Sequence, residues 1–254
     1  MPDTPPTADI PRHPQADLRP APPPMFNAPP LVIGLSLFLL LVQGLESWLG
    51  EDFQIWTMYA FAFIPRRLLE NALATPVGAQ VWTFVTYAFL HGGWFHVISN
   101  CMWLVIFGTP VVRFLGNLKS LLLMAVSAVA GAAAMLIPYW GDFIILVGAS
   151  AAVSGAMAAA MPIMYAPGFS RVSQGGDLPR PLRFGELLRS RNAVIFAMVF
   201  FALQLLTGAS EATTGTALIS EGLVAWEAHL GGFVAGLAMF YLLTARKASQ
   251  ARQM

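Results

Sequence analysis

Polar residues are scarce along this chain and fall in clusters, with long apolar stretches between them. Six stretches, at about 31–49, 95–112, 119–137, 150–166, 192–208 and 222–244, approach the roughly twenty residues an α-helix needs to cross a bilayer. The pattern therefore predicts six spanning helices. Residues 50–94, between the first two, are too apolar for an ordinary solvated loop. The stretch FQIWTMYAFAFIPRRLLENAL mixes aromatics with Arg66 and Arg67, which predicts an interfacial helix lying partly in one leaflet. Residues 141–149, GDFIILVGA, are apolar but too short to span. They are expected to dip into the protein, where irregular backbone is tolerated if shielded from lipid.

Composition agrees with an all-α polytopic membrane protein. Of the 254 residues 57% are hydrophobic and 11% charged, with a mean hydropathy of +0.65, whereas soluble domains carry about 25% charge. The first thirty residues are different: they hold eleven of the nineteen prolines and no helical periodicity. Residues 1–28 read as a disordered tail, residues 29–245 as the membrane domain and 246–254 as a short C-terminal tail. The N-terminus has neither the pattern of a signal peptide nor, with Asp3, Asp9 and Asp17, that of a transit peptide. An even number of crossings puts both ends on one side. If that side is the cytoplasm, twelve of the fourteen Lys and Arg residues lie inside and only Arg66 and Arg67 outside, as the positive-inside rule requires. A net charge of +1 says nothing about partners, and with no basic, aromatic-laced cluster nucleic acid is not an expected partner. Cys101 stands alone and reads as a small apolar helix residue.

The chemistry is expected where polar side chains interrupt the apolar helices. HGGWFHVISN places His91, His96 and Asn100 at the start of the second crossing, with His96 and Asn100 four apart on one face. VGASAAVSG opens the fourth crossing with Ser150 and carries Ser154 one turn deeper. AHLGGFVAG places His229 about two turns into the sixth. All three helices start from the same side, so these residues share one level. Taken singly, the histidines read as interfacial, Asn100 as interhelical glue, and Gly232 and Gly236 as a close-packing GxxxG. A metal site is disfavoured, because the His91–His96 interval of five suits no shared ion and no carboxylate or thiol stands at a ligand spacing. A serine made nucleophilic by a histidine base fits better, provided that the two helices touch. Gly232 and Gly236 on one, and Gly148, Ala151 and Gly155 on the other, permit that contact. Glu227 lies about 200° round the helix from His229, so a Ser–His dyad is the economical reading.

In the order and placement of these motifs the chain resembles the rhomboid family of intramembrane serine proteases over about residues 80–245. The family's HxxxxHxxxN appears as His91–His96–Asn100, its GxSG as Gly148-Ala149-Ser150-Ala151, and its AHxxGxxxG as Ala228-His229 with Gly232 and Gly236. The resemblance implies a six-transmembrane-helix bundle with a partly embedded outer loop, Ser150 as nucleophile and His229 as general base. It further implies an oxyanion hole from His96, Asn100 and the Ser150 N–H. Ser154 is expected to pack against His229 or bind water.

Three departures stand out. Ala151 replaces the last Gly of GxSG, adding a methyl where the fourth and sixth helices should meet. Ser154 stands where many members carry an aromatic ring that stacks on the histidine. Trp82-Thr83 replaces a Trp-Arg pair, so a differently anchored loop is expected. The implied partners are transmembrane protein substrates and the lipid bilayer, with no cofactor and no metal. The implied location is a bacterial inner (cell) membrane with both termini cytoplasmic; neither the substrate nor the oligomeric state is legible. Two alternatives remain: a catalytically inactive relative that binds membrane clients, and a channel or transporter. The latter predicts inverted repeats or mid-membrane charges, which the sequence lacks.

Overall fold

A computed structural model describes residues 28–69, 76–174, 177–214 and 225–250. The proline-rich tail expected over 1–28 falls outside them apart from its last residue, as do the last four residues of the C-terminal tail and the first three of the sixth predicted crossing. The described residues form helices α1 (Pro30–Leu49), α2 (Glu51–Phe61), α3 (Ala79–Thr86), α4 (Trp94–Trp103), α5 (Thr109–Leu115), α6 (Asn117–Tyr139), α7 (Ser150–Met164), α8 (Phe184–Arg189), α9 (Arg191–Thr214) and α10 (Trp226–Gln250). A π-turn over Leu104–Gly108 joins α4 and α5 into one helix, Trp94–Leu115. The result is an all-α polytopic membrane bundle. Helices Pro30–Leu49, Trp94–Leu115, Asn117–Tyr139 and Trp226–Ala245 are long and apolar enough to span, and Ser150–Met164 and Arg191–Leu206 are shorter apolar helices.

Helix α1 turns its polar residues inward. Ser36, Gln43 and Glu46 are buried with Val32 and Leu39, while Ile33, Leu37, Leu41 and Leu45 are exposed and free to meet lipid. Glu46 accepts a 2.6 Å hydrogen bond from Thr57 Oγ1. Cys101, read as a small apolar residue, is buried against the Ser36 carbonyl.

The bundle is centred on α7, which is buried along almost its entire length and packed between α6 and α10. Its run of Ala, Gly and Ser lets backbones approach closely, which is how helices associate where lipid competes for apolar surface. At 15 residues it is about 22 Å long, against about 30 Å of hydrocarbon. Lipid does not demand full length of a helix enclosed by protein, so its first residue can lie below the membrane surface.

The outer segment holds one of the main differences from expectation. The single interfacial helix predicted from Phe53 onward ends at Phe61, and the chain turns into an extended stretch where Phe63 and Leu146 exchange two backbone hydrogen bonds of 3.1 and 2.9 Å. The physical reason lies in the last carbonyls of α2, which have no intrahelical donor. Arg67, buried, donates to the carbonyls of Ala62 at 2.6 Å and Tyr59 at 2.5 Å. Trp82 Nε1 donates to Ala60 at 2.9 Å and Thr86 Oγ1 to Phe61 at 2.8 Å. Arg67 and Trp82 thus converge on one helix end.

Candidate active site

Three helix N-termini converge. His96 is the third residue of α4, Ser150 the first of α7 and His229 the fourth of α10. His229 therefore sits in the first turn of its helix, nearer the helix end than the two turns expected, because residue 225 is not helical. The common level of the three side chains follows from these starts. Each terminus brings unpaired N–H groups and the positive end of a helix dipole.

The contact between α7 and α10 is backbone on backbone. A Cβ built on Gly232 would fall on the Ala151 carbonyl, and one on Gly236 would fall on the backbone of Gly155. Ala151 adjoins Ser150, and Gly232 lies three residues beyond His229, so this contact brings the two segments together. The methyl of Ala151, added where the fourth and sixth helices were expected to meet, does not lie between them. It points to α6, where a Cβ on Gly131 would lie 2.5 Å from it and 2.9 Å from the Ala228 carbonyl. Gly131 is the notch that accepts the methyl, at the junction of α6, α7 and α10. One turn deeper, Ser127 of α6 faces Gly155, and Ser154 is buried within α7.

The loop before Ser150 is held from two directions. Gly148 N–H donates to the Tyr87 carbonyl at 3.0 Å, and Ala149 N–H donates to His91 Nε2 at 3.3 Å. Tyr87, fully buried, donates its own hydroxyl proton to the Ala128 carbonyl at 2.8 Å. Gly148 has φ +114°, a conformation that favours glycine. A Cβ there would also lie 2.7 Å from the His96 ring and 3.7 Å from Ser150 Oγ, so His96 and Ser150 flank a bare patch of backbone. To accept from Ala149, His91 Nε2 carries a lone pair and no proton. Its ring meets that of His96 edge-on, with centroids 5.0 Å apart. Asn100, buried one turn below His96, spends one amide N–H on the His96 carbonyl at 2.9 Å and keeps a second.

Of the residues predicted from sequence, the structure brings Ser150, His96, His91, Asn100 and Gly148 together, and the contacts of Ala151 with Gly232 and of Gly155 with Gly236 tie in the helix of His229; Ser154 lies one turn deeper on α7. Sequence reasoning missed three others. Gly131 is one small residue in the run AVAGAAA. Tyr87 is one aromatic in an aromatic-rich loop. Gln204 is the residue whose Oε1 lies 2.8 Å from His229 Nδ1. Its signal was legible, since it is the one uncharged amide within the apolar run 193–206.

Comparison with known proteins identifies the family of the chain. A family model described as Rhomboid domain matches residues 78–246. The chain is 29% identical over 162 residues to rhomboid protease GlpG of Yersinia pestis (strain Pestoides F), covering 64% of this chain and 48% of that protein. It is 26% identical over 222 residues to rhomboid protease GlpG of Serratia proteamaculans (strain 568), covering 87% of this chain and 66% of that one. The chain spans between about half and two thirds of the length of these relatives.

Proposed function

The chain belongs to the rhomboid family, and from that premise we propose that it is an intramembrane serine endopeptidase, cutting transmembrane segments of other membrane proteins near their outer end. Ser150 Oγ attacks the scissile carbonyl carbon as its proton passes to His229 Nε2. The oxyanion that forms meets the second Asn100 N–H, a His96 ring N–H and the Ser150 backbone N–H. The C–N bond then breaks, and His229 returns the proton to the departing amine. Water, deprotonated by His229, cleaves the acyl ester and restores Ser150.

The observation that carries this reading is the backbone contact of Ala151 with Gly232, which brings the Ser150 and His229 segments together. Its counterpart on the other side is the His96 ring against Gly148. The charge distribution supports a bacterial inner membrane orientation with both termini cytoplasmic, which puts the site at the outer side. A non-catalytic, client-binding role gains nothing from Ala151, whose methyl is accommodated by Gly131.

The test is covalent labelling of detergent-purified protein by a fluorophosphonate. Wild type should label and cleave a transmembrane substrate, whereas Ser150→Ala and His229→Ala should do neither while remaining folded. A wild type that stays unlabelled and inactive, with Ala151→Gly switching on both, would make the chain a client-binder instead.

A further inference from the structure

Helices α9 and α10 run antiparallel, and their contacts follow one register. Phe196 and Leu237 share a cluster, and Phe200 stacks on Phe233 with centroids 4.7 Å apart and planes at 21°. Phe201 closes on Phe233 edge-on at 5.3 Å. Four residues further along α9, and four back along α10, the next rung pairs Gln204 with His229, with Oε1 and Nδ1 2.8 Å apart. The aromatic rung fixes the azimuth of both helices, so the amide is delivered to the imidazole by packing, not by chance rotation of a surface side chain.

With Oε1 of the amide facing the ring, an acceptor only, Nδ1 carries the proton in this bond. A neutral imidazole protonated at Nδ1 has its lone pair on Nε2, the form needed to take a serine proton. We propose that Gln204 is a positioning residue for His229, completing the Ser150–His229 pair as an uncharged third member. This rests on the protease reading above. Gln204 selects the tautomer, fixes the plane of the ring and turns the amide dipole toward the imidazolium that forms as Ser150 attacks. A carboxylate would do the same with full charge, but would have to be buried unpaired in the resting enzyme; the amide avoids that. The other titratable group facing His229 is His96, from α4. Among the described residues the remaining nearby acid is Glu227, on the other side of His229's own helix.

The experiment uses full-length protein in detergent, with a transmembrane substrate and a fluorophosphonate. Gln204→Leu keeps volume and removes the acceptor. It should lower kcat and the labelling rate together by about tenfold or more, the equivalent of one hydrogen bond, with KM held within about twofold. Gln204→Glu restores the acceptor and adds charge. It should keep more activity than Gln204→Leu and move the acid limb of the kcat/KM profile to higher pH, because a carboxylate stabilises the imidazolium. A merely structural amide would change thermal stability or KM and leave the limb where it is. Wild-type kcat in Gln204→Leu, or an unmoved limb in Gln204→Glu, overturns the assignment while leaving the protease reading intact. Should Gln204→Leu not fold, the limb in Gln204→Glu decides alone. A wild type that neither labels nor cleaves would remove the protease reading, and this inference with it.

Discussion

The junction at Gly131 allows a sharp test of how closely the site depends on helix packing. In Gly131→Ala the new Cβ would stand 2.5 Å from the Ala151 Cβ, 2.9 Å from the Ala228 carbonyl oxygen and 3.1 Å from the Tyr87 hydroxyl. Carbon atoms pack at about 3.5–4.0 Å, so relief requires α6 and α7 to separate by about 1 Å or more. Neither close neighbour is the end of a flexible side chain, hence backbone must move. Overpacking of this kind costs about 1–3 kcal/mol. Its effect on chemistry is larger, because about 1 Å of misplacement can cost 10²-fold in rate, and α7 carries Ser150 at its first residue.

The assay pairs thermal unfolding in detergent with the rate of fluorophosphonate labelling. Gly131→Ala should lose about 10²-fold in labelling, a larger fraction than its stability loss suggests. Gly131→Ala combined with Ala151→Gly moves the methyl from α7 to α6 and removes the 2.5 Å clash, though the Ala228 carbonyl still crowds the site. The swap should therefore recover at least about tenfold over Gly131→Ala without reaching wild type, a coupling of about 1.4 kcal/mol. Ala151→Gly alone leaves the α7–α10 backbone contact intact and should change the rate by less than about tenfold. If the swap labels no faster than Gly131→Ala, or if Gly131→Ala labels like wild type, the notch argument fails.

Two further outcomes follow from the same geometry. On the proposed mechanism, Asn100→Ala removes a donor that meets charge only in the transition state, so kcat should fall by about 10²–10³-fold at saturating substrate. A normal kcat with raised KM would instead place Asn100 in substrate binding. Trp82→Phe leaves the Ala60 carbonyl of α2 without its 2.9 Å donor, and should cost about 1–3 kcal/mol in unfolding free energy. An unchanged transition in denaturant would show that the outer loop is anchored without it.

What the sequence made legible was whatever a single helix can encode. Periodicity and length gave the crossings to within a few residues for most, because lipid imposes both. The three polar motifs marked Ser150, His96, Asn100 and His229 as candidates, because each motif stands at a helix start and polar groups in apolar helices are costly. The outer segment was harder. Whether α2 would continue past Phe61 depended on donors from residues 67, 82 and 86, none of which its own composition reveals. Gln204 was visible as an isolated amide, yet its partner depended on the register of α9 against α10, set by Phe200 and Phe233.

Ala151 shows where that limit lies. The sequence says that a methyl replaces a hydrogen on a helix that must touch another helix, and from one pair of helices the inference is that the methyl intrudes. But α7 is enclosed by several elements. The Ala151 Cβ points at α6, 2.5 Å from where a Cβ on Gly131 would stand, while the carbonyl of the same residue meets Gly232. One residue thus presents its backbone to α10 and its side chain to α6. A substitution that looks like loss of contact in the motif is, in the bundle, a matter of whether α6 keeps a glycine opposite. The cost of departing from a motif glycine is therefore set by the residue across from it, and in this chain that residue is Gly131.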